Sequence, residues 1–156
     1  MISRQHLPRY EFTQEGFDKL LLEQEQLTQN RVGAVKDLAE ARAMGDLSEN
    51  GYYKAARAKL SSIDSRLGRL KLMIKYAVIL ESSKSGAVDF GCKVTVQVGS
   101  LKREFQIVGK EESDPSAGKI SGHSPIGQAL MGKKKGEKVL VQIPAGEVEY
   151  EILVVE

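Results

Sequence analysis

Two periodicities divide the chain. Up to about Leu80 apolar residues return at steps of three and four, and after about Val94 they alternate with polar ones. In the first region Phe17, Leu20, Leu27, Ala34, Leu38 and Ala41 share one helical seam, which Gln24 and Arg31 weaken at two of its positions. Thr13 is placed to cap this helix and Glu15 to favour its first turn. A second seam, Ala56, Leu60, Ile63, Leu67, Leu70, Ile74 and Ala77, alternates steps of four and three, the heptad spacing of a coiled coil. Gly68 is a weak point there, costing roughly 1 kcal/mol relative to alanine. Only a short break around Gly45 separates the seams, so the helices are expected to be antiparallel neighbours. Each runs for about 30 residues, or about 45 Å of helix. A rod of that length does not fit inside so small a chain. The expectation is a projecting hairpin over residues 1–80, with its tip at 45–50.

The stretch "ESSKSGAVDFG" after Leu80 is polar and glycine-bearing and reads as a linker. Period two then takes over: Val94, Val96 and Val98; Phe105 and Ile107 after a "GS" turn; Val139, Val141 and Ile143; and, after "PAG", Val148, Tyr150, Ile152 and Val154. These predict antiparallel strands with one buried face. "SPIGQALMG" is a short helix among them, with Ser124 as cap, Pro125 in its first turn and Gly132 past its end. Residues 81–156 are therefore a second domain, and the fold class is α+β.

Composition is globular, with 41% hydrophobic and 28% charged residues. Cys92 is the sole cysteine, which excludes an intrachain disulfide and a cysteine zinc site. The first dozen residues lack the apolar run of a signal peptide, and no segment is apolar for long enough to span a membrane. The expected location is the cytoplasm. The net charge of +2 is unevenly spread. Glu11 to Glu49 holds four basic and nine acidic residues, whereas Lys54 to Lys75 holds seven basic residues and one acid, Asp64. Two complementary solvated helix arms would show this pattern, and so would a basic face for a polyanion.

The break between the seams, "MGDLSENGYY", carries Asp46 and Glu49. As D-x-x-E before a helix they fit a capping box. They could instead hold a divalent cation, with Arg42, Lys54 and Arg57 close by in sequence as phosphate partners. Magnesium prefers six oxygens in octahedral array, which two carboxylates on an exposed tip cannot supply. If such a site works, another macromolecule must complete it. His6 and His123 are isolated and make no metal spacing, and Cys92 reads as a small packed residue.

"ARAMGDLSENGYYKAAR", "FQIVG", "GKISGHSPIGQALMGKKKGE" and "IPAGEVEYEILVVE" together resemble the Gre transcript cleavage factors of bacterial RNA polymerase, over nearly the whole chain. The resemblance implies an N-terminal antiparallel coiled coil and a C-terminal domain shaped like FK506-binding proteins. It implies a monomer whose C-terminal domain docks at the polymerase secondary channel through Ser124, Pro125 and Ile126, while the coiled coil reaches down the channel. Asp46 and Glu49 would then help hold the second Mg²⁺ of the polymerase active site, where the 3′ end of backtracked RNA is cut. Arg42 and Arg57, and more weakly Lys54, would meet the extruded RNA phosphates, as in the A-type factor. Tyr53 matches the family's tip tyrosine; on the residues alone it is a packing residue where the hairpin closes. Two positions depart from the family: Tyr52 stands where an acid is usual, and Gly51 where alanine is usual. A rival of the same shape is a channel-binding inhibitor, whose relatives tend to carry an aspartate-rich tip. A rival of another class is a prolyl isomerase or chaperone, for which Phe90, Phe105 and Tyr150 offer too few aromatic walls.

Overall fold

The computed structural model describes residues 8–45, 50–81 and 85–156. They fall into two compact units: Phe17–Tyr76, and the segments flanking it, up to Gly16 and from Ala77 onward.

The helical unit is built from α1 (Gln14–Ala43) and α2 (Gly51–Lys75). Thr13 caps α1, its hydroxyl accepting the Gly16 N–H at 3.1 Å. Leu20, Ala34 and Ala41 on α1 and Ala56, Leu67 and Leu70 on α2 are buried, all of them seam positions. Ion pairs join Glu23 to Arg66, Arg31 to Asp64 and Asp37 to Lys59. Partners move back along α2 as one moves forward along α1, so the helices run antiparallel. Arg31 is accommodated in the seam by reaching out to Asp64 at 2.6 Å. Neither helix, nor any other among the described residues, is long and apolar enough to cross a membrane.

The second seam overruns the helix. α2 ends at Lys75, Tyr76 is its C-cap, and Ala77 lies in a strand. The cause is a long-range ladder: β1 (Tyr10–Phe12) pairs in parallel with β2 (Ala77–Ile79), and the Leu80 N–H donates to the Phe12 carbonyl at 2.8 Å. Val78 and Ile79 are β-branched and suit a ladder better than a further helical turn. Phe12 is only 1% exposed. The strands that lead into α1 and out of α2 are thus joined side by side.

The remaining strands, β3 (Lys93–Val98), β4 (Leu101–Val108), β5 (Lys119–Ser121), β6 (Lys138–Ile143) and β7 (Gly146–Val155), form one sheet in the order β5-β4-β3-β7-β6. The sheet is antiparallel except where β5 runs parallel to β4. That exception to the expected all-antiparallel pattern follows from the connection. Two 3-10 turns, Lys110–Glu112 and Pro115–Ala117, carry the chain back so that β5 re-enters in the same direction. β3 and β4 meet in a two-residue turn at Gly99 and Ser100, with Gly99 at φ 58° as such tight turns require.

Val94, Val96, Ile107, Val139, Val141, Tyr150 and Ile152 form the core with Val88 and with Leu130 of α3 (Pro125–Leu130). The predicted alternation fails at one place. Val154 is 38% exposed, and Val155 packs against the core instead. The register shifts between Thr95 and Val96, which pair with Val154 and Ile152, leaving Leu153 as a bulged residue. One extra residue moves every later side chain to the opposite face.

Candidate functional site

At the closed end of the hairpin α1 stops at Ala43, and Gly45 takes φ 73°. α2 starts at Gly51 with Asn50 as its N-cap. The Asn50 Oδ1 accepts from the N–H groups of Tyr52 (2.9 Å) and Tyr53 (3.2 Å), and its Nδ2 donates to the Ala41 carbonyl at 3.3 Å. One side chain therefore caps α2 and ties its start to the last turn of α1. This corrects the capping-box reading, which put Asp46 at the N-cap. Asparagine caps as well as aspartate, and its amide supplies a donor for α1 that a carboxylate lacks. Asp46 and Glu49 themselves lie outside the described residues.

Arg42 in the last turn of α1 and Lys54 and Arg57 in the first two turns of α2 are all exposed. Among the described residues no ion pair engages any of the three. Glu40, the acid that could have neutralised Arg42, pairs with Lys36 at 3.9 Å. Further along the hairpin three cations are held, Arg31, Lys59 and Arg66. Arg66 makes a two-pronged bond to Glu23 (2.6 and 2.7 Å), and Lys59 sits 2.9 Å from Asp37. The hydrogen bonds from Arg66 hold the Glu23 carboxyl below its ordinary range, against the effect of burial, and Arg66 is raised in return. Asp64 likewise raises Arg31, chiefly by its hydrogen bond. Tyr53 is half-buried where the hairpin closes, and Tyr52 is exposed.

The second predicted site lies in the other unit. Ser124 caps α3 by accepting the Gly127 N–H at 3.1 Å, and its hydroxyl donates to the Ser121 carbonyl at 2.6 Å. Pro125 and Ile126, with Pro115, Ile120, Ile143 and Pro144, line an apolar pocket of about 250 Å³. Gly127 is required here: a Cβ would lie 2.1 Å from the Ser121 carbonyl oxygen. His123, expected to be isolated, is bonded through Nε2 to Glu11 at 2.6 Å. Its ring lies 6.0 Å from that of Phe90. Cys92 is buried, as expected of a packed residue. Among the described residues no group of three or more histidines, cysteines or acids is placed to hold a metal ion.

Sequence reasoning missed two polar residues that build these sites: Glu11 and Asn50. Asn50 directly before a glycine and two tyrosines was a legible cap, masked by the D-x-x-E pattern beside it. Glu11 acts across 112 residues, for which no local signal exists.

An antiparallel coiled-coil hairpin with bases gathered at its closed end, followed by a sheet with an apolar pocket beside a short helix, defines an α+β protein made of a helical unit and a sheet unit. The chain belongs to the GreA/GreB family of transcription elongation factors, whose N-terminal model matches residues 10–79 and whose C-terminal model matches residues 83–156. It is 43% identical over 152 residues to the transcription elongation factor GreA of Lactococcus lactis subsp. lactis (strain IL1403), covering 94% of this chain and 97% of that one. It is also 43% identical over 150 residues to GreA of Thermodesulfovibrio yellowstonii, covering 93% and 95% of the two chains. Among solved structures, GreA factor homolog 1 (Gfh1) of Thermus thermophilus matches at a TM-score of 0.46 and 24% identity, covering 96% of this chain and 99% of that one.

Proposed function

We propose that this protein binds bacterial RNA polymerase at its secondary channel and stimulates cleavage of the 3′ end of backtracked nascent RNA. Membership of the elongation-factor family supports the choice of partner. The observation that carries the tip assignment is the capping of α2 by Asn50. With that post filled, Asp46 and Glu49 are not needed to start the helix. Two carboxylates three residues apart, four residues after Arg42 and five before Lys54 in the sequence, are then left for another role.

The donor set suits magnesium, which takes hard oxygen ligands, but two carboxylates leave most of its shell to be filled. Asp46 and Glu49 would hold it only together with polymerase groups, and when bound it would supply an activated water and charge neutralisation at the phosphodiester. Arg42 and Arg57, with Lys54, hold the extruded strand by its phosphates. The pocket at Pro125 and Ile126 gives the sheet domain an apolar contact for the polymerase rim, with Ser124 fixing the helix start beside it.

The test is a stalled, backtracked elongation complex with labelled RNA, incubated with Mg²⁺ and either the parent protein or Asp46→Asn and Glu49→Gln variants. Each variant is expected to bind polymerase normally and to slow cleavage by roughly a hundredfold, about 3 kcal/mol of transition-state stabilisation. Raising Mg²⁺ should recover part of the rate by mass action. Near-parental cleavage by the double variant, with binding confirmed, would sink the assignment.

A further inference from the structure

We propose that Glu11 is a positioning residue for the surface around Pro125 and Ile126, acting through His123. The inference rests on the reading of that surface as the polymerase contact, and it assigns a role to a strand at the opposite end of the sequence.

Glu11 has a fixed backbone. It lies in β1 between Tyr10 and the buried Phe12, in register with Val78 of β2. On its other side its carbonyl passes so near Gly109 that a Cβ there would be 1.8 Å from the oxygen. The side chain leaves this anchor and ends 2.6 Å from His123 Nε2, with its other oxygen 3.4 Å from Arg9 Nε. A carboxylate only accepts, so the imidazole nitrogen facing it carries the hydrogen.

The segment that receives this bond is built tightly everywhere else. The His123 N–H donates to the Ser121 hydroxyl (3.2 Å), and the His123 carbonyl accepts from Gln128 Nε2 (3.1 Å). Before it, Gly122 leaves room for Phe90, whose ring would lie 2.6 Å from a Cβ. After it come Ser124, the cap of α3, and then Pro125 and Ile126 at the pocket. The imidazole is held from outside the segment, by Glu11 and alongside the Phe90 ring. Its side chain is 56% exposed, while that of Glu11 is 21% exposed. Arg9, Lys110 and Glu111 line the same hollow and offer the ring other charged neighbours. Glu11 selects one orientation among these. A contact surface whose loop is already ordered loses less entropy on binding.

The experiment is competition for polymerase core by the full-length protein, comparing the parent with Glu11→Ala, Glu11→Gln, His123→Ala, the Glu11→Ala/His123→Ala double variant and Ile126→Glu. Melting temperatures are recorded alongside. Glu11→Ala and His123→Ala should each weaken binding about fivefold, the equivalent of one net hydrogen bond. The double variant should be no weaker than either single one, and Glu11→Gln, which keeps an acceptor, should recover most of the affinity. The melts should stay close to the parent, since a pair this exposed adds little to stability. Parental affinity of Glu11→Ala while Ile126→Glu binds poorly would overturn the positioning role and leave the docking surface standing. Fully additive losses in the double variant would overturn it too. Parental affinity of Ile126→Glu would overturn the docking reading itself, and the positioning role with it.

Discussion

The Glu112 carboxylate accepts two hydrogen bonds from Thr13, one from its N–H at 2.6 Å and one from its hydroxyl at 2.7 Å. Thr13 is the residue that caps α1, so a carboxylate from a 3-10 turn between β4 and β5 is set at the positive end of that helix. The space it occupies is the space a Cβ at position 16 would need: an alanine methyl there would lie 1.9 Å from Glu112 Oε1. Gly16 is therefore required by a side chain far away in sequence. Its φ is not in the left-handed region.

This geometry predicts a reversal of sign. In the parent, Gly16→Ala should destabilise. The methyl pushes the carboxylate off Thr13 and costs about 1–3 kcal/mol of part-buried hydrogen bonding. Against that stands at most about 1 kcal/mol of gained helix propensity. With Glu112→Ala already in place the clash is gone, and the same Gly16→Ala change should stabilise. Chemical denaturation of the four proteins decides it. A Gly16→Ala effect of the same sign in both backgrounds would show that Glu112 does not govern the site.

Asn50 bridges the hairpin's closed end by capping α2 and bonding Ala41 of α1. Asn50→Ala should cost about 1–2 kcal/mol, the usual loss of a helix cap. Asn50→Asp should lose less, since it keeps the cap and adds a favourable charge at the helix start but gives up the donor to Ala41. Amide exchange should place the change locally, with the N–H groups of Tyr52 and Tyr53 exchanging faster in Asn50→Ala. Unaltered protection there would contradict the capping role.

What could be read from the residues, and what could not, follows the range of the interaction. The hairpin was legible because a heptad repeats the same local signal many times over, and only its end was misplaced, at Ala77. α3 was legible because Ser124, Pro125 and Gly132 mark its ends within a few residues. β1 and β2 are three residues each, too short to show a period, and they exist because they pair with each other. The bulge at Leu153 leaves no mark in an apolar run, because "ILVV" suits either register. Of the tip, the bases and the helix start could be read, but the cap was credited to Asp46 because two residue types suit the same post.

The Glu23–Arg66 pair gives the helical unit an acid-sensitive contribution. Hydrogen bonds from Arg66 hold Glu23 below its ordinary range. A depressed carboxylate adds stability above its unfolded pKa, about 4.3, and that stability is lost as pH falls through the lower folded value. Melting of the parent should therefore fall below about pH 4.3 more steeply than melting of Glu23→Gln. Both side chains are more than a third exposed, so the difference should be modest, within the range of about 1 kcal/mol or less for surface pairs. Asp114 and Glu137 are also depressed, chiefly by the Ser116 hydroxyl and the Lys134 N–H, so the comparison between variants carries the test. Identical pH profiles for the two proteins would count against a contribution from the pair.

On the proposed reading, the distribution of ion pairs along the hairpin sets how much RNA it would hold. Arg42, Lys54 and Arg57 have no ion-pair partner among the described residues, whereas Lys59, Arg31 and Arg66 are held by Asp37, Asp64 and Glu23. A strand extruded by a short backtrack would meet the first group, and a longer one would next reach Lys59, which Asp37 already neutralises. The expected products from backtracked complexes are therefore very short fragments. Removing Arg42 and Arg57 together should weaken cleavage of these complexes. It should also flatten the salt dependence of RNA binding by roughly 0.7 in the log–log slope for each phosphate no longer neutralised. Asp37→Asn should act in the opposite direction, because it releases Lys59 and adds an unpaired cation on the arm next to this group. It should steepen the salt dependence and shift cleavage towards longer fragments in deeply backtracked complexes. Mapping fragment length by gel across a salt series separates the cases. Predominant release of long fragments by the parent, or no change in Asp37→Asn, would mean that ion pairing along the arms does not set how far the RNA is held.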